Sequence, residues 1–200
     1  MTEVGPGRGS APGTPLALPF STVATVPPDL KLHPHGGEPL TVADQVTMFH
    51  LVLVVLDPYT YESSWLLETA GRILSEFEEA DCRAGWLVTA DEADTSAFLG
   101  PWEKKLLTFC DPDRTAVKGL GLDSIPALVH IGGDLTVIGK AEGWRPDEWR
   151  EITNNLASMM SWSRPNFPKV GDPVPFEGSP AAGADEGPGS GPVASAATSA

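Results

Sequence analysis

The chain has 200 residues, 27 of them acidic and 13 basic, for a formal charge of −14. That excess of acid leaves no basic footprint for nucleic acid or anionic lipid, so neither is expected as a partner, and the charge reads as a solvated surface. The two cysteines, Cys82 and Cys110, exclude a disulfide framework.

No basic stretch followed by an apolar one opens the chain, and the longest apolar run, residues 51–56, is too short to span a bilayer. A cytoplasmic location without membrane attachment is the expectation. Residues 1–27 are rich in Gly, Pro, Ser and Thr, and residues 177–200 in Gly, Ala, Ser and Pro. Such compositions bury too little apolar surface to offset chain entropy, so both ends are expected to be disordered. Between them lie one domain, residues 28–162, and an extended Pro-rich segment, residues 163–176.

The domain opens on a hairpin. Leu30 and Leu32 alternate with polar neighbours, Gly36-Gly37 mark a turn, and Leu40 and Val42 resume the alternation. His33 and His35 flank Pro34 without further ligands nearby, so no metal site is expected. Residues 51–56 (LVLVVL) are a continuous aliphatic run, as in a central strand buried on both faces. The run stops at Asp57-Pro58, turns through Tyr59-Thr60-Tyr61, and restarts as a helix near Glu62. A strand, loop and helix N-terminus in this order often carry chemistry, because backbone N–H groups and the positive helix end point into the loop. The helix, residues 62–80, places Leu66, Ala70, Ile73, Leu74 and Phe77 on one stripe, and Arg72 and several glutamates on the other.

A second strand, residues 82–90, completes a βαβ unit, which is parallel and right-handed in nearly all cases. Residues 92–105 form a helix interrupted at Gly100-Pro101. A short strand, 106–109, then leads into Cys110-Asp111-Pro112 and a short helix, 113–120. A hairpin follows, with strands over 127–131 and 135–138. The glycines and aspartate of its Gly132-Gly133-Asp134 turn supply the positive φ that a tight hairpin needs. The last helix starts at Pro146 and aligns Trp149, Ile152, Leu156 and Met159.

This order of elements, with the segment Gly121-Leu122-Asp123-Ser124-Ile125-Pro126-Ala127, resembles the thioredoxin-like fold and its Gly-x-x-x-Ile-Pro-Thr motif. The resemblance implies an α/β architecture, a central mixed β-sheet flanked by helices, and a cis proline at Pro126 facing the site. The opening residues Pro28-Asp29-Leu30 and Gly37 to Val42, and the insertion ending at residues 107–113, resemble the redoxin branch, which includes peroxiredoxins and TlpA-type reductases. Against a thioredoxin, Tyr61-Glu62-Ser63-Ser64 stands where Cys-x-x-Cys would be, and Val55 takes the place of the buried acid. Against a peroxiredoxin, Thr60 matches Thr-x-x-Cys and Ser63 stands at the peroxidatic cysteine. A helix N-terminus lowers the pKa of a thiol, but a serine hydroxyl stays protonated there and needs a general base, which neither His50 nor His130 is placed to provide.

Cys82 begins one strand and Cys110 ends another parallel to it. The two are therefore roughly 20 Å apart, beyond the about 7 Å between Cα atoms that a disulfide tolerates. Cys110 is the candidate lone thiol, at the sheet end that carries the loop.

In relatives the groove between loop and proline takes an extended peptide through backbone hydrogen bonds, which needs no sulfur. Its lining is expected from Tyr59, Thr60, Tyr61, Ser63, Ser64 and Trp65 on one side and Ile125 and Pro126 opposite, with Trp144 in the loop after the hairpin. On this reading the protein is a redox-inactive binding module for a protein or peptide, with no cofactor. The alternative is a thiol-dependent oxidoreductase or peroxiredoxin-like antioxidant of cell redox homeostasis, working through Cys110. A third reading makes residues 165–176 a docking strand for another protein.

Overall fold

Apolar alternation and continuous apolar runs set the sheet of the computed structural model, which describes residues 24–183. Strands β1 (Lys31–Pro34) and β2 (Leu40–Thr41) form the opening hairpin, paired antiparallel. Val42 does not continue it. The Thr41 hydroxyl accepts from the Asp44 N–H at 3.1 Å, and the Asp44 carboxylate accepts from the Thr41 N–H at 2.9 Å. This capping box turns the chain into helix α1 (Val42–Val46), and the T-x-x-D pattern outweighs the strand alternation.

Strand β3 (His50–Leu56) is buried on both faces, as its unbroken aliphatic run requires. Val52, Val54 and Leu56 pack with Leu66, Ile73 and Trp86, while Leu51, Leu53 and Val55 pack with Leu32, Val117 and Ile125. Helix α2 (Tyr61–Ser75) ends five residues before the position expected, 80. Its apolar stripe could continue, but Glu76, Glu78 and Glu79 crowd negative charge at the negative end of the helix dipole.

Strand β4 (Cys82–Val88), helix α3 (Glu92–Leu99), a 3-10 turn at Gly100–Lys104, strand β5 (Leu107–Cys110) and the short helix α4 (Thr115–Gly119) follow. Then come β6 (Ser124–Ile125), β7 (Ala127–Ile131), β8 (Val137–Glu142), helix α5 (Pro146–Met159) and β9 (Ser179–Pro180). One sheet runs in the order β2-β1-β5-β4-β3-β7-β8. Its centre, β5-β4-β3, is parallel, and β7 and β8 add antiparallel. β6 stands apart from this sheet and pairs with β9. No helix among the described residues is long and apolar enough to cross a membrane.

Further expectations need correction. In the β7–β8 turn the positive φ falls on Leu135, at 65°, rather than on the glycines, so β8 starts at Val137 and runs on to Glu142. Met159 lies outside the apolar stripe of α5 and is largely exposed, whereas Thr153 and Ala157 are buried. At the N-terminal end, residues 24–27 were expected to be disordered. Val26 is buried there and donates its N–H to the Leu135 carbonyl at 2.9 Å, and Ala24 accepts from the Val137 N–H at 2.8 Å. At the other end, residues 177–183 are seated on the domain and include β9. The rest of both expected disordered ends, 1–23 and 184–200, lies outside the described residues.

Candidate functional site

Where β3 ends, Asp57 organises the loop into α2. Its N–H donates to Ser63 Oγ at 2.9 Å, its carboxylate accepts from the Tyr59 N–H at 3.0 Å, and its carbonyl accepts from the Thr60 N–H at 3.2 Å. Thr60 Oγ1 lies 3.0 Å from both the Asp57 carbonyl and Ser63 Oγ. Ser63 is fully buried in this net, and Ser64 faces out, donating its hydroxyl to the Thr60 carbonyl at 3.2 Å. Among the described residues no base touches Ser63, and its hydroxyl serves here as a structural hydrogen-bonding group.

The partner of Asp57 was missed in the sequence. Arg114 Nη2 meets its carboxylate at 2.7 Å, with the two side chains only 15% and 5% exposed, and Arg114 Nη1 donates to the Ala181 carbonyl at 2.8 Å. Arg114 stands at the start of α4 with a left-handed backbone, at φ 55°. The buried Asp111 carboxylate holds that turn by accepting from the N–H groups of Ala116 and Val117 at 3.1 and 2.9 Å. The sequence offers a signal for Asp57 alone, since an acid at the stop after an apolar strand is buried and seeks a cation, but nothing in it marks Arg114 as that cation.

The rim is aromatic and exposed. Tyr59, Tyr61 and Trp65 are 68%, 78% and 58% accessible. Tyr61 stacks on Trp65 with ring centroids 6.3 Å apart, and Trp65 meets Phe176 edge-on at 6.0 Å. The Tyr59 hydroxyl donates to the Asp94 carboxylate, and that bond pushes its pKa up to about 12.

Trp144 does not line the rim. It is fully buried, edge-on to Trp149 at 5.2 Å and beside Phe167 at 5.9 Å, and its indole N–H donates to the Pro173 carbonyl at 2.9 Å. The chain after α5 returns over it and takes up the surface the sequence left open.

Ile125 and Pro126 are both buried, and the peptide between them is cis. What they present to the groove is main chain. β9 pairs antiparallel with β6, Ile125 opposite Ser179 and Ser124 opposite Pro180, and the Ala181 N–H donates to the Asp123 carbonyl at 2.9 Å. Glu142 braces β6 from behind by accepting from the Ser124 N–H at 3.0 Å and from Lys140 Nζ at 2.9 Å. Burial raises its pKa, but these partners more than offset that and leave the carboxyl below its ordinary range.

No protein-family model matches the sequence, and no curated protein matches it. Solved structures do. A secreted Mycobacterium tuberculosis disulfide oxidoreductase superposes with a TM-score of 0.51 at 15% identity, covering 65% of this chain and 96% of that one. PrxQ of Xylella fastidiosa gives 0.56 at 17% identity, over 68% and 95%. A hypothetical protein of Sinorhizobium meliloti gives 0.59 at 12%, over 80% and 94%. The chain has the thioredoxin-like fold.

Within this thioredoxin-like frame the two thiols lie away from the loop. Cys110 pairs with Val88 at one end of the parallel β4–β5 ladder and Cys82 sits at the other end of β4, so no bridge joins them. Cys110 is buried, with Sγ 3.6 Å from Thr95 Oγ1, and burial raises its thiol pKa. It borders a separate cleft of about 610 Å³ that is also lined by Lys31, His33, Asp91 and Asp113. Burial pushes the Cys82 thiol up to about 11. His50 Nδ1 and His130 Nε2 are 2.9 Å apart at the start of β3, the end remote from the loop, and burial lowers the His130 pKa to about 4. His35 joins the opening hairpin to α3 through Ser96 Oγ at 2.9 Å.

Proposed function

We propose that this thioredoxin-like protein has lost thiol chemistry at the 57–65 loop and works as a binding module that takes a protein or peptide in extended conformation along β6. One observation carries this reading: the edge of β6, beside Pro126, seats an extended segment, β9, through its main chain. Strand addition of this kind draws affinity from backbone hydrogen bonds, and the flanking side-chain pockets give specificity. Tyr61 and Trp65 supply exposed anchors with an apolar body and a polar handle. Aligned as a peroxiredoxin the loop has Ser63 at the cysteine position, and aligned as a thioredoxin it has Tyr61 and Ser64 there. A loop without sulfur, whose buried Ser63 hydroxyl bonds only to Asp57 and Thr60 among the described residues, supports binding over redox turnover.

The test combines catalysis and capture. Peroxide consumption and insulin reduction are expected at background for the wild type, and an array of extended peptides is expected to lose its signals in Tyr61→Ala/Trp65→Ala. Turnover that disappears in Cys110→Ser would instead favour a thiol enzyme working through Cys110. An array unchanged by the aromatic substitutions would remove the groove.

A further inference from the structure

The groove is already filled, and by this chain. Phe176 exchanges both main-chain hydrogen bonds with Trp144, at 2.9 and 3.1 Å, and three residues further on β9 takes the edge of β6. The Arg114 guanidinium, held by Asp57 in the loop, then grips the Ala181 carbonyl. Residues 176–181 thus touch the aromatic rim, the strand beside Pro126 and the loop cation in turn.

The contacts read a pattern. Phe176 offers its ring to the edge of Trp65. A Cβ on Gly178 would stand 2.8 Å from the Ile125 carbonyl oxygen and 3.0 Å from Ser124 Oγ, so only glycine fits against that strand. Ala181 is buried among Ile125 and its neighbours. Between these positions the side chains matter little. Glu177 makes an ion pair with Arg145 at 2.6 Å but is itself 81% exposed, and Val174, before the pattern, points into solvent. Exposed ion pairs of that kind add little.

We propose that residues 176–181 are a resident ligand of the groove, and that the protein's partners are extended peptides of the same chemistry: an aromatic residue, glycine two positions later, and a small apolar residue three beyond that. Such a peptide enters by displacing the chain's own segment. This rests on the binding-module reading above and adds its specificity. Competition lowers the apparent affinity for any partner by the fraction of molecules with the segment released. A partner that also engages the exposed Tyr61 face, which the resident segment leaves bare, overcomes that competition.

The probe is a fluorescent peptide with the sequence of residues 173–183, titrated into the full chain. In Gly178→Val, and in a second variant that adds Phe176→Ser, the segment is expected to leave. Amide exchange at Trp144 and Ala181, whose N–H groups bond across the groove, reports that release. The released variants are expected to bind the peptide at least about tenfold more tightly than the wild type, as occupancy of the competent state sets the apparent constant. A peptide carrying valine at the Gly178 position is expected to bind neither.

Equal binding by wild type and variants overturns the resident-ligand proposal, as does retention of the segment in both variants. A released variant that binds other extended peptides but not this one overturns the pattern and leaves the module reading standing. One that binds no peptide at all removes the module reading itself. The wild type is expected to be monomeric by light scattering, and a dimer built by exchanging these segments would overturn the intramolecular seat.

Discussion

Arg114→Ala removes the cation that joins the loop, α4 and the returning segment, and its effect follows from the geometry. The Asp57 carboxylate is 5% exposed and meets the guanidinium at 2.7 Å. Without it the carboxylate keeps the Tyr59 N–H as a donor but loses its counter-charge. Leaving one member of a buried pair uncompensated costs about 3–5 kcal/mol. Arg114 is itself 15% exposed, so water reaches the vacated space and the lower end applies, about 3 kcal/mol. Backbone strain does not confuse the comparison, because alanine and arginine are disfavoured alike at φ 55°.

For a domain of this size that loss lowers Tm by about 6–12 °C, measurable by calorimetry and by urea unfolding. The control is Asp57→Asn/Arg114→Met. It removes both charges while keeping an acceptor for Tyr59, and it is expected to recover most of the loss, because a neutral replacement of a buried pair is often nearly neutral in stability. A loss under about 1 kcal/mol in Arg114→Ala would refute the reasoning. So would a double variant whose loss equals the sum of the single ones, since that means the two residues do not interact.

Three further outcomes are expected. Gly71→Ala is expected to destabilise, although alanine in a helix normally gains about 1 kcal/mol. The new Cβ would lie 2.5 Å from Trp102 Cε2, and that ring is pinned by Glu68 and Lys105, so overpacking of about 1–3 kcal/mol wins; a raised Tm would refute this. Both thiols are expected to resist a thiol reagent in native buffer at neutral pH and to react in denaturant, because burial raises the pKa of each, Cys82 to about 11; a fast neutral-pH reaction of Cys110 would contradict its placement. Glu142, held below its ordinary 4.5 in the folded state, lends stability that is complete above that value and is lost as pH falls through the folded pKa. Glu142→Gln is expected to flatten the acid limb of urea midpoint against pH, and an unchanged slope would refute its role behind β6.

Much of this fold was legible because its determinants are local. β3 shows its double burial as an unbroken run, and α2 shows its stripe at helical spacing. The loop between them was read correctly as a junction of strand and helix, and Tyr61 and Trp65 do stand at its open face. The Asp57–Arg114 pair was not legible, since it spans 57 positions and its cation sits in a left-handed turn that no pattern in the sequence marks. Trp144 failed for a related reason. An aromatic after a hairpin can line a rim or fill a core, and here the choice was made by Phe167 and Pro173 returning from further down the chain.

The tail carries the sharper lesson. Its glycine and proline content was read as an inability to bury apolar surface, which is sound for a segment that must build its own core. A strand added to an existing edge is held by main-chain hydrogen bonds and needs only to be thin enough to approach. Gly178 is there because the Ile125 carbonyl leaves no room for a Cβ, and Gly143 faces the Phe176 carbonyl under the same constraint, at 2.6 Å from a Cβ placed there. Gly178 and Ala181, both inside the end expected to be disordered, are small where they pack against β6. A strand seated on an edge through its backbone is selected largely by what is absent from its side chains, and for that reason it is hard to recognise in a sequence.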